Sequence, residues 1–491
     1  MRKVIENNKK IIGLYLINVL ALMPLLCFAF QHFSVDTYLL ASENGIDMHI
    51  NAFIGSFRYV GALIHKVWNL LGQDPISNPL LDIAIFVLIV ALVTTKLSNF
   101  IYIQLKQKST LSYIIVNLSV LVSVTNVWFV NILTFPECIF ATAIGVVLCF
   151  SAIIVYFSKQ NIPGKIISAL LLICSTAIFQ QFLVVFIIYA ILLCSIKLKN
   201  SDNSKTKDTV FEYLKLILLI LVSGIIYYGI GIGVQKLFSV AANERVALSL
   251  DSMLNNLIYF ITKQHSYLKG RGFFDTEILT LCYVIVGTIW LVAFICHIKK
   301  NKLNFKSLCL FLSYIVAYGS SFLMGIVSTS RATRTMFGLF TVFALFTIGT
   351  ILLINKRFVK YILASVLLIV FALNMYANIK MSLELREINT QEIMLAEQYL
   401  YEIEEYEKSE NVVVNNIEFC TDVYHKISDN SSLRFDYSFS GLMGYISGRD
   451  FNVTQVENTE MKSNFVEKDW DGFIADEQLI FENDTLYVCI Y

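Results

Sequence analysis

Asp36 is the first residue whose type and setting suggest chemistry. It stands in Phe33-Ser34-Val35-Asp36-Thr37-Tyr38, a few residues beyond the first long apolar run, where a carboxylate meets the lipid–water boundary. Ionisable groups are costly to hold there and are default functional candidates. A carboxylate so placed can take a proton from an attacking hydroxyl as a general base; the alternative is a solvated loop acid. Glu43, Asp47 and His49 follow in the same loop. Glu137 is the second candidate acid, in Thr134-Phe135-Pro136-Glu137 at the head of the fourth apolar run. Proline suits a first helical turn and an acid suits the helix dipole, so Glu137 also has a structural explanation.

Cations in the segments between these runs form the second set. Arg331 and Arg334, in Ser328-Thr329-Ser330-Arg331-Ala332-Thr333-Arg334-Thr335, are spaced to project together and clamp a phosphate, a role for which the guanidinium fork is well shaped. Arg58 and the Lys269-Gly270-Arg271 stretch can add to that clamp; headgroup contact or snorkelling is the competing account. Gln180 and Gln181, between two apolar runs, either bind a polar substrate such as a sugar or satisfy a tight turn.

Several features are missing from the sequence. It has no Gly-rich phosphate loop, no His/Cys metal cluster and no Gly-x-Ser-x-Gly elbow. Asp47-Met48-His49 leaves a divalent metal open without requiring one. No segment looks able to hold a nucleotide, so any activated donor is expected to be lipid-linked.

The elements that must position these groups are membrane helices. The chain has 491 residues, 56% hydrophobic and 15% charged. Apolar runs fall near 11–30, 79–95, 111–127, 137–157, 166–179, 182–196, 216–233, 277–296, 307–327, 337–354 and 361–378. Most approach the roughly 20 residues that cross a bilayer. That pattern excludes a soluble enzyme, a secreted protein and a nucleic-acid binder, and predicts an α-helical polytopic protein with about 11 spans. The first run lacks a small-residue cleavage site, so it reads as a retained helix rather than a signal peptide.

Orientation follows from the Lys/Arg bias of short loops. With the N-terminus in the cytoplasm, segments 1–10, 96–110, 158–165, 197–215, 297–306 and 355–360 face inward and carry 21 of the 30 basic residues before position 379. The long loops 31–78 and 234–276 then face outward, and so does the C-terminus. Within them, 50–71 and 250–261 show apolar residues at helical spacing, which predicts helices resting in the headgroup layer or packed on neighbouring spans.

Residues 379–491 hold 8 basic against 23 acidic residues, while 1–378 hold 30 against 14. The charge change predicts two regions in different surroundings: a transmembrane domain, 1–378, and a small acidic α+β domain, 379–491, outside the membrane. A Glu-rich helix is expected over 382–408, with strands near Asn411–Ile417, Phe451–Val456 and Gln478–Tyr491. Cys420 and Cys489 are the two cysteines of this tail; an external location would permit a disulfide, and two thiols are the alternative.

Taken together, Asp36 after the first span, Gly55-Ser56-Phe57-Arg58-Tyr59-Val60-Gly61-Ala62-Leu63, Pro136 heading the fourth span and Phe179-Gln180-Gln181-Phe182 resemble the type II serotype-converting glucosyltransferase family, polytopic enzymes of the GT-C class. The likeness covers roughly residues 11–360. Relatives often read Gly-Arg where this chain has Phe57-Arg58, and Asp36 lacks the adjacent second acid of many GT-C proteins. The Lys-, Asn- and Ile-rich composition suggests a bacterial plasma membrane. The resemblance implies transfer of a sugar, glucose by the family's habit, from a polyprenyl-phosphate donor to a surface glycan outside the membrane. It makes Asp36 the base, Arg58, Arg331 and Arg334 the phosphate ligands, and Gln180 and Gln181 pocket walls. Competing readings are a polysaccharide polymerase or ligase using lipid-linked donors, and a transporter or flippase. Against the last, no internal repeat is visible, and the most embedded acid, Asp82, lies near the end of its span.

Overall fold

The computed structural model describes residues 2–490 apart from 30–32, 41–44, 74–77, 107, 160, 202–205, 244–248, 271–275, 303, 329–332, 422–430, 457–462, 464 and 466–472. Helices dominate: α1 (Arg2–Leu22), α2 (Thr37–Leu40), α3 (Gly45–Gly55), α4 (Tyr59–Leu70), α5 (Pro79–Gln104), α6 (Thr110–Thr125), α7 (Val127–Val130), α8 (Pro136–Ser158) and α9 (Ile162–Thr176). After them come α10 (Gln181–Asn200), α11 (Thr206–Leu237), α12 (Leu250–Leu268), α13 (Glu277–Asn301), α14 (Phe305–Ser320), α15 (Leu323–Ile326), α16 (Gly338–Leu353), α17 (Arg357–Glu410) and α18 (Asp436–Ser447).

Each of the eleven expected apolar runs lies on a helix. Among the described residues nine helices are long and apolar enough to cross a membrane; α9 and α14 are shorter. The run 307–327 is interrupted because α14 ends at Ser320, where the Ser321 hydroxyl turns back to the Tyr318 carbonyl at 2.6 Å. The run 166–179 stops at Thr176, and the Ala177 carbonyl beyond it accepts from the amides of Val60 and Gly61, both at 3.2 Å. The end of α9 thereby receives the start of α4.

The apolar window of Arg334–Leu353 is 89% buried against 11% for Val210–Leu237, so α16 is central and α11 peripheral. Side-chain hydrogen bonds join the inner helices, each worth about 0.6 kcal/mol in a bilayer. Asn18 and Asn117 exchange amide bonds at 3.1 and 2.7 Å, and Ser119 meets Thr347 at 2.8 Å. The break between α6 and α7 at Asn126 is filled from α17. Asn378 donates to the Thr125 carbonyl at 2.8 Å and Asn374 accepts from the Val127 amide at 3.2 Å. Irregular backbone at such depth is tolerated only when protein satisfies it in this way.

The single helix expected over 50–71 is two helices. Phe57, at φ 60°, ends α3: its amide bonds the Ile54 carbonyl at 3.0 Å and the Arg58 amide bonds the Phe53 carbonyl at 2.8 Å. This is the pairing that usually places glycine at the left-handed position. Phe57 is held there by its ring, which stacks on Tyr228 at 5.3 Å and covers Gly231, where an added Cβ would lie 2.3 Å from the ring. The His65 ring packs against Phe53 at 4.9 Å. The outward face of α4 shows Leu63, Val67 and Leu70, and that of α12 shows Leu250, Leu254, Ile258 and Ile261, all exposed.

Helix α17 runs unbroken for 54 residues, joining the expected last span to the expected Glu-rich helix and crossing the expected boundary at 378/379. Side chains up to Leu385 belong to the core of the membrane helices, and from Ala396 onward to a second core. That second core contains a four-stranded sheet of β1 (Asn416–Thr421), β2 (Asn452–Gln455), β3 (Leu479–Glu482) and β4 (Thr485–Ile490), ordered β2-β1-β4-β3. Only β3 and β4 pair antiparallel. The expected final strand is thus a hairpin turning at Asn483-Asp484, and β1 starts five residues later than expected. Cys420 and Cys489 fall in register on β1 and β4 and are both buried.

Candidate functional site

Four separate stretches bring charged groups to one cavity of about 60 Å³, lined by Asp36, His49, Phe53, Arg58, Ile132, Phe135, Glu137, Cys138, Ala141, Thr142, Ile178, Phe179 and Arg334. Asp36 sits in a tight turn before α2. The Ser34 amide donates to Thr37 Oγ1 at 2.9 Å, the Thr37 amide to the Ser34 carbonyl at 3.0 Å, and the Asp36 amide to Ser34 Oγ at 3.2 Å. The same two hydroxyls reach Glu137. Thr37 Oγ1 donates to Oε2 at 2.9 Å and Ser34 Oγ to Oε1 at 3.5 Å. One turn therefore presents a half-buried carboxylate, Asp36, and fastens a fully buried one, Glu137.

His49 adds a polar wall. Its ring lies 4.6 Å from Phe53 and 5.1 Å from His65, and among the described residues neither imidazole's buried Nε2 has a hydrogen-bond partner. Burial pulls His49 down to about 4, with Asp36 pushing it back and Arg58 lowering it further. Burial first, then His49, brings His65 to about 3. Both rings are neutral at pH 7.

Arg58 and Arg334 rest on aromatic faces. The Arg58 guanidinium carbon is 5.0 Å from the Phe179 ring centroid, and that of Arg334 is 5.2 Å from Phe135. Such stacking orients the planar fork. Both arginines and Phe179 also line a second cavity of about 290 Å³, with walls from Phe57, Gln180, Gln181, Leu183, Tyr227, Tyr228, Met324, Val327 and Thr335. The arginines stand at the junction of an acidic chamber and a mostly apolar one.

Gln180 and Gln181 both line the larger chamber, and their amide nitrogens are committed to backbone. Gln180 donates to the Ser56 carbonyl at 2.7 Å and Gln181 to that of Thr335. Tyr227 Oη holds the Phe57 carbonyl at 3.1 Å, and Gln235 those of Ile54 and Gly55. The carbonyls around the Phe57 break are thereby satisfied, as buried backbone requires. Gln181 Oε1 is buried and has no partner among the described residues.

Other expected residues lie elsewhere. Asp47 is exposed on α3 and lines neither chamber; Lys269 ends α12 and pairs with Glu277 at 2.7 Å, away from both. Glu43, Arg271 and Arg331 fall outside the described residues. Asp82 accepts from Trp68 Nε1 at 2.9 Å, which ties α4 to α5. Among the described residues no group of three or more His, Cys, Asp or Glu side chains is arranged to hold a metal. The sequence reading missed the Ser34/Thr37 bridge, although the two hydroxyls flanking Asp36 at i and i+3 are a visible signal. It also missed Tyr437, whose hydroxyl donates to Asp36 Oδ1 at 3.3 Å from 401 positions away.

Residues 25–351, more than half of the chain, match the model of the glucosyl transferase GtrII family. The match takes in Asp36, Arg58, Glu137 and Arg334 and stops before α17 and the sheet. No curated protein and no solved structure matches the chain.

Proposed function

The chain belongs to the GtrII glucosyl transferase family, and from that premise we propose that it moves glucose from a polyprenyl-phosphate donor to a hydroxyl of a surface glycan on the extracytoplasmic side of a bacterial plasma membrane. The observation that carries this reading is the pair of chambers meeting at Arg58 and Arg334. A lipid phosphosugar has three parts with different needs. Its hydrocarbon suits the apolar chamber, its phosphate the two guanidinium groups, and its sugar the small chamber with Asp36, Glu137 and His49.

In the proposed step an acceptor hydroxyl oxygen attacks the anomeric carbon as the bond from that carbon to the phosphate oxygen breaks. Asp36 takes the hydroxyl proton, and polyprenyl phosphate leaves with the bonding electrons. Arg58 and Arg334 offset the charge that grows on the departing phosphate, the kind of preorganised stabilisation that usually supplies the largest share of acceleration. Glu137, bound through Ser34 and Thr37, sets the turn that aims Asp36. Neutral His49, whose Nε2 has no partner among the described residues and lies at the chamber wall, offers a hydrogen bond to a sugar hydroxyl.

Sidedness is supported by the far ends of the same helices. Gln181 begins α10 at the larger chamber, and Asn200 ends it about 30 Å away by helical rise. Around that end Lys106 bonds the Asn200 carbonyl at 3.0 Å, Lys306 the Ser201 carbonyl at 2.6 Å, and Lys199 meets His297 at 3.0 Å. Lysines gathered opposite the chambers fit a cytoplasmic face. The test is transfer of labelled glucose from polyprenyl phosphate to surface glycan by the full chain in vesicles. Labelled glucose staying on the lipid while the same vesicles only translocate it would support a flippase instead.

A further inference from the structure

The second core holds the turn that carries Asp36. Asn389 of α17 accepts from the Phe33 amide at 2.7 Å and donates to the Phe33 carbonyl at 3.0 Å. Tyr38 is fully buried, stacked on Phe33 at 4.6 Å and meeting the Tyr445 ring at 6.1 Å. It lies so close to α18 that a Cβ added at Gly441 would be 2.7 Å from the Tyr38 carbonyl oxygen. The C-terminal region and the Asp36 turn are therefore one packed unit, although the family match ends at residue 351.

At the start of α18 this unit presents aromatic rings beside the site. The Phe435 and Tyr437 rings stack with centroids 5.7 Å apart and planes 22° apart, and the Arg434 guanidinium lies over Phe435 at 5.5 Å. Tyr437 is 39% exposed, yet its hydroxyl reaches Asp36 Oδ1 at 3.3 Å. The apolar, C–H-bearing face of a pyranose settles on such rings because its polarised hydrogens meet the negative aromatic face. Arg434 and Asp436, the residues before and between these two rings in sequence, are both exposed. The surrounding region, with 23 acidic against 8 basic residues over 379–491, repels polyanions and leaves neutral sugars as the suited guests.

We propose that the Phe435–Tyr437 edge is an acceptor subsite, where a neutral hexopyranose unit of the acceptor glycan stacks and delivers its hydroxyl to Asp36. This rests on the transferase reading and adds what that reading lacks, a place for the second substrate. It assigns the donor to the family-matched helices and acceptor selection to the C-terminal region.

The experiment measures glycan binding to the full chain in nanodiscs with no donor present. The probe is the surface polysaccharide purified from cells lacking this chain, with dissociation constants from thermophoresis and ring contacts from saturation-transfer NMR. Phe435→Ala and Tyr437→Ala are each expected to weaken binding at least about tenfold, while Phe435→Trp stays within about twofold of wild type. Tyr437→Phe is expected to keep the affinity and lower the transfer rate, which loss of folding would not do. Polyprenyl-phosphate binding by the alanine variants should match wild type. Wild-type affinity in both alanine variants, or no glycan binding by the wild type, overturns the subsite. Glycan binding with the expected losses, but no transfer from polyprenyl-phosphate glucose, would sink the proposed donor and leave the subsite standing.

Discussion

The smaller chamber, about 60 Å³, is lined by two carboxylates, two guanidinium groups and a buried imidazole, whereas the larger, about 290 Å³, offers mainly aromatic and aliphatic walls. The first is built from short turns and helix starts: the Asp36 turn, the α3–α4 break and the head of α8. The second lies between α9, α10 and α11 and is walled by side chains that also satisfy backbone. The difference teaches a division of labour. On the proposed function, polar groups are gathered where bonds would change, and apolar volume lies where a long hydrocarbon would need only shelter.

The sharpest way to break that division is Asp36→Asn. A positioned general base contributes about 10²- to 10⁴-fold, so a transfer rate lower by that factor, with donor binding intact, is expected in a vesicle assay. Full activity would remove the base assignment. Next in size is the junction. Arg58→Lys and Arg334→Lys each keep a charge but lose the planar fork, and a fall in kcat of about 10²-fold is expected from losing a charge-stabilising donor. Two variants with unchanged kcat would place the phosphate elsewhere.

A smaller effect probes the apolar side. Met324→Ser should raise KM several-fold for a long-chain donor and leave kcat unchanged, because the lost apolar contact serves ground and transition states alike. A short-chain donor analogue should show no shift; equal shifts for both would detach the hydrocarbon from this chamber. The smallest effect concerns pH. His49 sits at about 4 and His65 at about 3, below the usual 6.5. Between pH 6.5 and about 4 the unfolded chain binds protons that the folded chain refuses, so stability falls as pH falls through that window. A lower melting temperature at pH 5 than at pH 7 is expected, with a reduced drop in the double variant His49→Gln, His65→Gln. An equal drop in that variant would place the proton uptake on other groups.

The spans were legible because hydropathy over about 20 residues is a coarse signal that tertiary contacts rarely reverse. The α3–α4 break was not. The apolar period continues through Phe57, and no glycine marks the left-handed residue that Tyr228 and Gly231 hold in place. The join at 378/379 was missed for the opposite reason. Charge changes there, but Asn378-Ile379-Lys380-Met381-Ser382 contains nothing that stops a helix. In the tail, Asn483-Asp484 is a readable turn signal inside the single strand expected over Gln478–Tyr491. At the site, residue types pointed to Asp36, Glu137, Arg58 and Arg334 one by one. Their meeting depends on contacts across about a hundred positions or more, which a single sequence does not display. Lys269 stood out only as an outward cation, since its partner Glu277 begins the next helix.

Helix α17 is a single rod of 54 residues, about 80 Å long by helical rise, and it contributes side chains to both cores. If the proposed acceptor subsite holds, the height at which a glycan is engaged is set by that rod like the mark on a ruler. Adding or removing one residue near its middle would turn the far end by about 100° as well as shift it.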